Sequence, residues 1–256
     1  MAGLRRPRVC RCRFPASANR GAVNYPPVLV EGLPGAGLVG KIAADHLVDA
    51  YGMAHYGSVR CDGLPDVAVY RGDSSDVIPP VRLYADESRD LLVLQSDVPV
   101  SPSGAPEFAD CVTAWLDDHD VFPLYLSGLA EDKEGVPELY GVATGDAESV
   151  IDRAGLVPPR ESGLVSGPTG ALIAAAGETG LDAAGLIVQT NPQFPDPEAA
   201  RAILEHGVGP IADVDVDTSA LVEQADEIQQ AREQMAKQLQ DGGDESTAAQ
   251  PIRGFQ

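Results

Sequence analysis

The chain is 256 residues long, 44% apolar and 22% charged, the make-up of a folded protein with one substantial core rather than a disordered one. Its 39 acidic residues outnumber 18 basic ones and leave a net charge of −21, which excludes the basic stripe that a nucleic-acid partner requires and disfavours an anionic membrane surface. No apolar run approaches the ~20 residues of a membrane span. No signal-like apolar segment follows the N-terminal arginines either, so a soluble, cytoplasmic protein is expected.

Residues 1–24 carry Arg5, Arg6, Arg8, Arg11, Arg13 and Arg20 and no acid. They read as a disordered basic leader or a mis-assigned start, with a nucleic-acid-binding arm as the alternative. From residue 25 the pattern becomes one of alternating strands and helices. Residues 28–30 predict a short buried strand, followed by a glycine-rich turn and a helix to about residue 50. Residues 67–70 and 81–85 read as further strands. The continuous apolar run 91–94 predicts a strand covered on both faces. A helix is expected over 105–118 with Trp115 and Leu116 inward, then a strand over 122–127. Pro168 marks the start of another helix, where its missing N–H costs little. Residues 184–189 form the last strong strand pattern, and Pro197 opens a helix to about residue 206.

This alternation predicts a single α/β domain over 25–217. Residues 218–240 read as a C-terminal helix with Leu221, Ala225, Ile228, Met235 and Leu239 on one stripe, which packs on the parent domain or on a second subunit. Residues 241–256 read as a flexible tail.

Lysine occurs only at Lys41, Lys133 and Lys237. An acidic, lysine-poor surface stays hydrated where salt screens charge at short range, which points to the cytoplasm of a halophilic archaeon. Four cysteines are too few and too scattered for a disulfide framework and read as reduced thiols. Cys10 and Cys12 lack a second Cys/His pair at metal-site spacing, so no metal is expected.

Gly35, Gly37 and Gly40, with Lys41 following, match G-x-G-x-x-G between a strand and a helix. In that context backbone N–H groups attract phosphate, and Asp62 lies at a plausible spacing for a ribose-binding acid. The same residues nearly match a P-loop, with Asp97 as an imitation of the Walker B acid. However, Ile42 occupies the position whose hydroxyl holds magnesium. The third reading is close helix–strand packing with no ligand. The loop is therefore a candidate cofactor site only in the alternative reading.

Catalytic chemistry is hard to assemble from the rest. There is no G-x-S-x-G elbow, and His46, His55, His119 and His206 stand apart from Cys and Ser. Cys61 and Cys111 are candidate nucleophiles, though small buried cysteines are the commoner case. Asp196 and Glu198 sit at a helix start, where capping explains them. Asn191 caps a turn or lines a pocket. No catalytic residue, cofactor or metal is assigned.

Three segments resemble the proteasome assembly chaperone 2 family: the run 31–41, the Gly-Pro-Thr-Gly-Ala-Leu run 167–172, and the Asn-Pro-Gln-Phe-Pro-Asp-Pro-Glu-Ala-Ala run 191–200. The resemblance implies a three-layer α/β/α domain of the phosphorylase/hydrolase-like type, homo-oligomers, and binding to α subunits of the proteasome core particle without catalysis. Proteasome activators and some archaeal members dock a C-terminal hydrophobic–Tyr–any tripeptide between α subunits. This chain ends Gly254-Phe255-Gln256, which keeps the penultimate aromatic but lacks the Tyr hydroxyl and the hydrophobic residue. About a dozen residues before it give a reach of ~20 Å. Partner binding is therefore expected at Gly254, Phe255 and Gln256. A small-molecule adaptor with a pocket near Asn191 and Asp196 is a further alternative.

Overall fold

The computed structural model describes residues 11–13 and 26–223, apart from 62, 71, 73–74 and 132–134. Its strands are β1 (Arg11–Arg13), β2 (Val28–Gly32), β3 (Ala54–Arg60), β4 (Val69–Tyr70), β5 (Val77–Ile78), β6 (Val81–Asp86), β7 (Leu91–Ser96), β8 (Phe122–Ala130), β9 (Leu139–Thr144) and β10 (Ala183–Thr190). The helices are α1 (Val39–Ala50), α2 (Ala105–Asp118), α3 (Glu148–Arg153), α4 (Gly167–Thr179), α5 (Pro197–Ile203) and α6 (Gly209–Ala212).

Eight strands form one mixed sheet in the order β1-β3-β6-β7-β2-β8-β10-β9. The four central strands, β7, β2, β8 and β10, run parallel. Antiparallel strands flank them: β9 on one side, and β6, β3 and β1 on the other. Strand β7 explains why the centre reads as an unbroken apolar run. All six of its residues are buried. Leu91 and Val93 enter a core built with α1 and α5, while Leu92 and Leu94 enter the opposite core with α2 and α4. The sheet is thus sandwiched between helices, and the fold is mixed α/β.

Local signals set the helix starts. Pro168 occupies the first turn of α4, and Pro197 that of α5. Gly180 ends α4 in the left-handed conformation at φ +75°. Helix α5 passes into a π turn at Leu204–Val208 instead of running regularly to residue 206. Leu221 is buried in the core shared with α1, so this position of the C-terminal stripe packs on the parent domain. Ala225, Ile228, Met235 and Leu239 lie outside the described residues.

The structure departs from the expected elements in several places. Of residues 67–70 only Val69–Tyr70 is a strand, and it pairs with β5 in a separate ribbon. Val67 and Tyr70 are exposed there, because β-branched and aromatic composition favours strand without deciding which sheet receives it. Strands β3 and β9 were not expected. Both lie toward the edges and lack a long apolar run, so their pairing comes from neighbours rather than from their own pattern. Arg11–Arg13, inside the arginine-rich segment, adds an edge strand to β3. Cys111 is disulfide-bonded, against the reading of reduced thiols, and is not a free nucleophile.

Candidate functional site

The carboxyl ends of β2, β8 and β10 lie side by side, and this is where open α/β sheets place their sites. The glycine loop leaves β2, the segment 191–196 leaves β10, and the first turn of α4 stands nearby.

Gly32 and Gly37 are required by close approach. A Cβ on Gly32 would sit 2.1 Å from the Ala44 Cβ, so β2 and α1 pack backbone against side chain. Gly37 has φ +62°, and a Cβ there would lie 2.0 Å from the Thr190 Oγ1. Leu38 follows at φ +52°, a left-handed conformation that is costly for a side chain of this kind. Gly35 is exposed, and Gly40 is buried at the start of α1.

Asp196 ties the glycine loop to β10. Its N–H donates to the Gly37 carbonyl oxygen at 2.9 Å. Its buried carboxylate accepts from the Thr190 hydroxyl (3.0 Å), the Asn191 N–H (3.0 Å) and the Ala199 N–H (3.1 Å), the last as the N-cap of α5. The Asn191 side chain accepts from the Gln193 N–H at 2.9 Å, so it caps a turn. The Asp196 carboxylate and the Asn191 side-chain oxygen, near which a pocket was expected, take part in these bonds.

Glu31 performs the matching task on the other side of the loop. It is fully buried in β2. Its carboxylate accepts from the Leu33 N–H (2.9 Å), the Leu126 N–H (3.1 Å) and the Thr169 hydroxyl (3.1 Å). Burial outweighs these bonds and pushes its pKa from 4.5 to about 7. Tyr125 stands opposite Glu31 in the β2/β8 register, and burial together with the Glu31 charge raises its phenol pKa well above the usual value.

Lys41 faces the other layer, in a ring of bonds on the α1 side. Its ammonium meets Asp45 at 2.8 Å and Asp97 at 3.4 Å. Asp97 accepts from the buried Arg82 at 2.6 Å, Arg82 donates to Gln95, and Gln95 donates back to Asp45. Burial pushes the Asp97 carboxyl up, but the hydrogen bond and charge of Arg82, with help from Lys41, hold it below the usual range. The structure therefore brings Lys41 and Asp97 together, and the same contacts occupy the lysine charge.

Among the candidate catalytic groups, the His46 ring meets the Asp217 carbonyl oxygen at 2.7 Å and the His119 ring meets the Trp115 carbonyl oxygen at 2.8 Å. His55 packs edge-on against Tyr84. Cys61 is partly buried. Among the described residues, no group of three His, Cys, Asp or Glu is arranged to hold a metal, and no helix is long and apolar enough to cross a membrane. Asp62, Gly254, Phe255 and Gln256 lie outside the described residues. Sequence reasoning left Glu31, Asp45, Arg82, Gln95 and Thr190 without roles. For Glu31 the available signal was a lone acid at the end of an apolar strand.

What the region offers chemically is a set of rigid, mutually capped loops. The three segments singled out in the sequence converge in space: Glu31 and Gly37 in the first, Thr169 in the second, Asp196 in the third.

Comparisons with known proteins agree with this architecture. An uncharacterised protein of Methanocaldococcus jannaschii is 29% identical over 216 residues, 83% of this chain and 86% of that protein. Among solved structures, Pyrococcus furiosus PbaA, described as an archaeal homolog of proteasome-assembly chaperone, is similar with a TM-score of 0.75 and 23% identity, over 91% of this chain and 94% of that one. PbaB of the same organism, described as an archaeal proteasome activator, gives a TM-score of 0.73 and 23% identity over 90% and 99%. These likenesses show the fold. The PAC2 family profile matches residues 29–236, spanning all three converging segments, and the chain belongs to the PAC2 family.

Proposed function

We propose that this protein binds proteasome core-particle α subunits as an assembly or capping factor, by surface recognition and without a covalent step. The observation that carries the reading is the convergence of three family segments on one end of the sheet. Their polar atoms there are spent on holding loops in place rather than on a nucleophile and base. Membership of the PAC2 family and a fold shared with PbaA and PbaB support it. Within this reading the protein is a cytoplasmic homo-oligomer with a domain of the phosphorylase/hydrolase-like type. Gly254, Phe255 and Gln256 dock between α subunits. Several such ends on one oligomer act together, which raises avidity above that of a single weak peptide.

The test is binding of the purified protein to proteasome core particles and to free α subunits in high salt, beside a version lacking Gly254, Phe255 and Gln256. Binding lost on truncation supports docking of the last three residues. Binding that survives moves recognition to the folded surface. No binding to either species overturns the reading.

A nucleotide-binding function is the second reading, favoured by the approach of Lys41 to Asp97 beside Gly35, Gly37 and Gly40. Against it stand Ile42 at the magnesium position and two carboxylates on the lysine. Thermal stabilisation by a nucleoside triphosphate, lost in Lys41→Met, is the result that would revive it.

A further inference from the structure

Exposed large apolar side chains are unevenly placed among the described residues. Leu38 follows β2, Val136 follows β8 and Phe194 follows β10, each in the connection that leaves the carboxyl end of a central strand. Val67, Tyr70 and Val77 lie between β3 and β6. That connection stands at the same end, because Val81 opens β6 opposite Ser96, the last residue of β7. Leu164 precedes α4, whose Thr169 reaches Glu31 near the end of β2. Val157 flanks the outer edge of β9, and Val222 stands apart in the segment after α6. At the amino end, the connections 51–53, 87–90, 119–121, 145–147 and 180–182 expose no large apolar side chain.

The ribbon of β4 and β5 has an uncovered face at this end. Val69 opposes Ile78 in its register, and Tyr70 opposes Val77. Directly opposed residues share a face. One face therefore carries the partly buried Val69 and Ile78, and the other carries Tyr70 and Val77, 82% and 68% exposed. A lone two-stranded ribbon is marginal in water, so a cover on the Tyr70–Val77 face would add stability that the ribbon lacks by itself. Leu164 and Val136 are 86% and 63% exposed on the other flank. The seven side chains at the carboxyl end together offer roughly 700 Å2, close to the ~800 Å2 that one partner brings to a standard interface.

Charge selects the occupant. The amino-end connections carry Glu87, Asp90, Asp120, Asp146 and Asp182 against one cation, Arg89, which Asp86 engages at 2.5 Å. Two copies meeting there would set like charges together. The carboxyl end has an uncharged centre over residues 32–40 and flanks of both signs. Arg60 and Asp66 are exposed beside the ribbon, and Arg160, which also meets Glu138 at 2.7 Å, and Glu161 are exposed before α4. One copy can therefore set its cations against the acids of another around an apolar middle. We propose that the carboxyl end of the sheet, from the β4–β5 ribbon across Leu38 and Phe194 to Leu164, is a self-association face occupied by a second copy of this chain. The inference deepens the homo-oligomeric part of the proposed function and rests on that part alone.

The experiment is sedimentation equilibrium of the full chain across the micromolar range, in concentrated potassium chloride that screens charge within a few ångströms. The wild type is expected to self-associate. Tyr70→Ser combined with Val77→Ser is expected to weaken association about tenfold or more, and Leu164→Ser several-fold, with unchanged far-UV spectra. Val222→Ser removes a comparable exposed side chain away from this face and is expected to change nothing. A wild type that stays monomeric overturns the proposal and leaves the face to a different protein. So does self-association that neither the ribbon variant nor Leu164→Ser weakens, or that Val222→Ser weakens as much as they do. Leu164 lies in a separate segment, so its variant tests the face even if the ribbon substitutions disturb the ribbon itself. No proteasome subunit enters the measurement, and a monomer that still binds core particles sinks this inference alone.

Discussion

At the scale of single residues, the glycine loop is governed by contacts that no local pattern announces. Gly37→Ala forces a Cβ into the Thr190 hydroxyl and an unfavourable positive φ onto alanine. It is expected to lower stability by about 2 kcal/mol or more, read from the urea midpoint. Asp196→Ala removes the α5 cap and strands the buried Thr190 hydroxyl, for about 2 kcal/mol. A loss below about half a kcal/mol in either variant contradicts the structure.

Glu31 and Asp97 act on pH-dependent stability in opposite directions. The folded pKa of Glu31 lies above its unfolded value, so its contribution is fully present below 4.5 and is lost as pH rises through about 7. Full ionisation costs roughly 3 kcal/mol relative to the protonated form. Asp97 and Asp86 are held below 3.8, so their contribution is present above that value and disappears on acidification. Maximal stability is expected on the acid side of neutrality. In urea titrations at pH 5 and pH 8, Glu31→Gln should lose most of the wild-type decline between the two. An equal decline in both proteins would falsify the assignment.

At the scale of elements, the packing of β2 on α1 rests on Gly32 meeting Ala44. Gly32→Ala overfills that contact and costs about 2 kcal/mol. Pairing it with Ala44→Gly restores the volume, less the ~1 kcal/mol penalty of glycine in a helix. A double-mutant cycle should therefore show a favourable coupling of about 1 kcal/mol or more, and zero coupling would mean that the two residues do not touch. The central elements were legible because burial on both faces writes an apolar run into β7, and proline marks the first turns of α4 and α5. Strands β3 and β9 were not, because a flanking strand borrows its hydrogen bonds from its neighbour. The ribbon of β4 and β5 shows the same limit, since Val67 and Tyr70 have strand-like chemistry without a place in the main sheet.

At the scale of the whole molecule, the net charge of −21 makes the compact state self-repelling. Raising potassium chloride from 0.1 to 2 M is expected to raise the thermal midpoint by several degrees, since screening shortens to a few ångströms. A constant or falling midpoint would rule out charge repulsion as a main limit on stability. The same charge accounts for the many acids that remain exposed, while the core keeps the two inward layers apolar.

Composition and local pattern by themselves determined the α/β class, the buried central strands, the helix starts at Pro168 and Pro197, and the three segments that carry the family resemblance. Those properties are written in periodicity and in residues with restricted backbones, which act over a few positions. The tertiary structure alone decided the strand order, the burial of Glu31, the Lys41–Asp97 approach and the docking of Asp196 under Gly37. Each depends on a partner that the chain brings in from far away. A carboxylate at the end of a strand has one meaning in water and another beneath α4, and only the packing of the helix chooses between them.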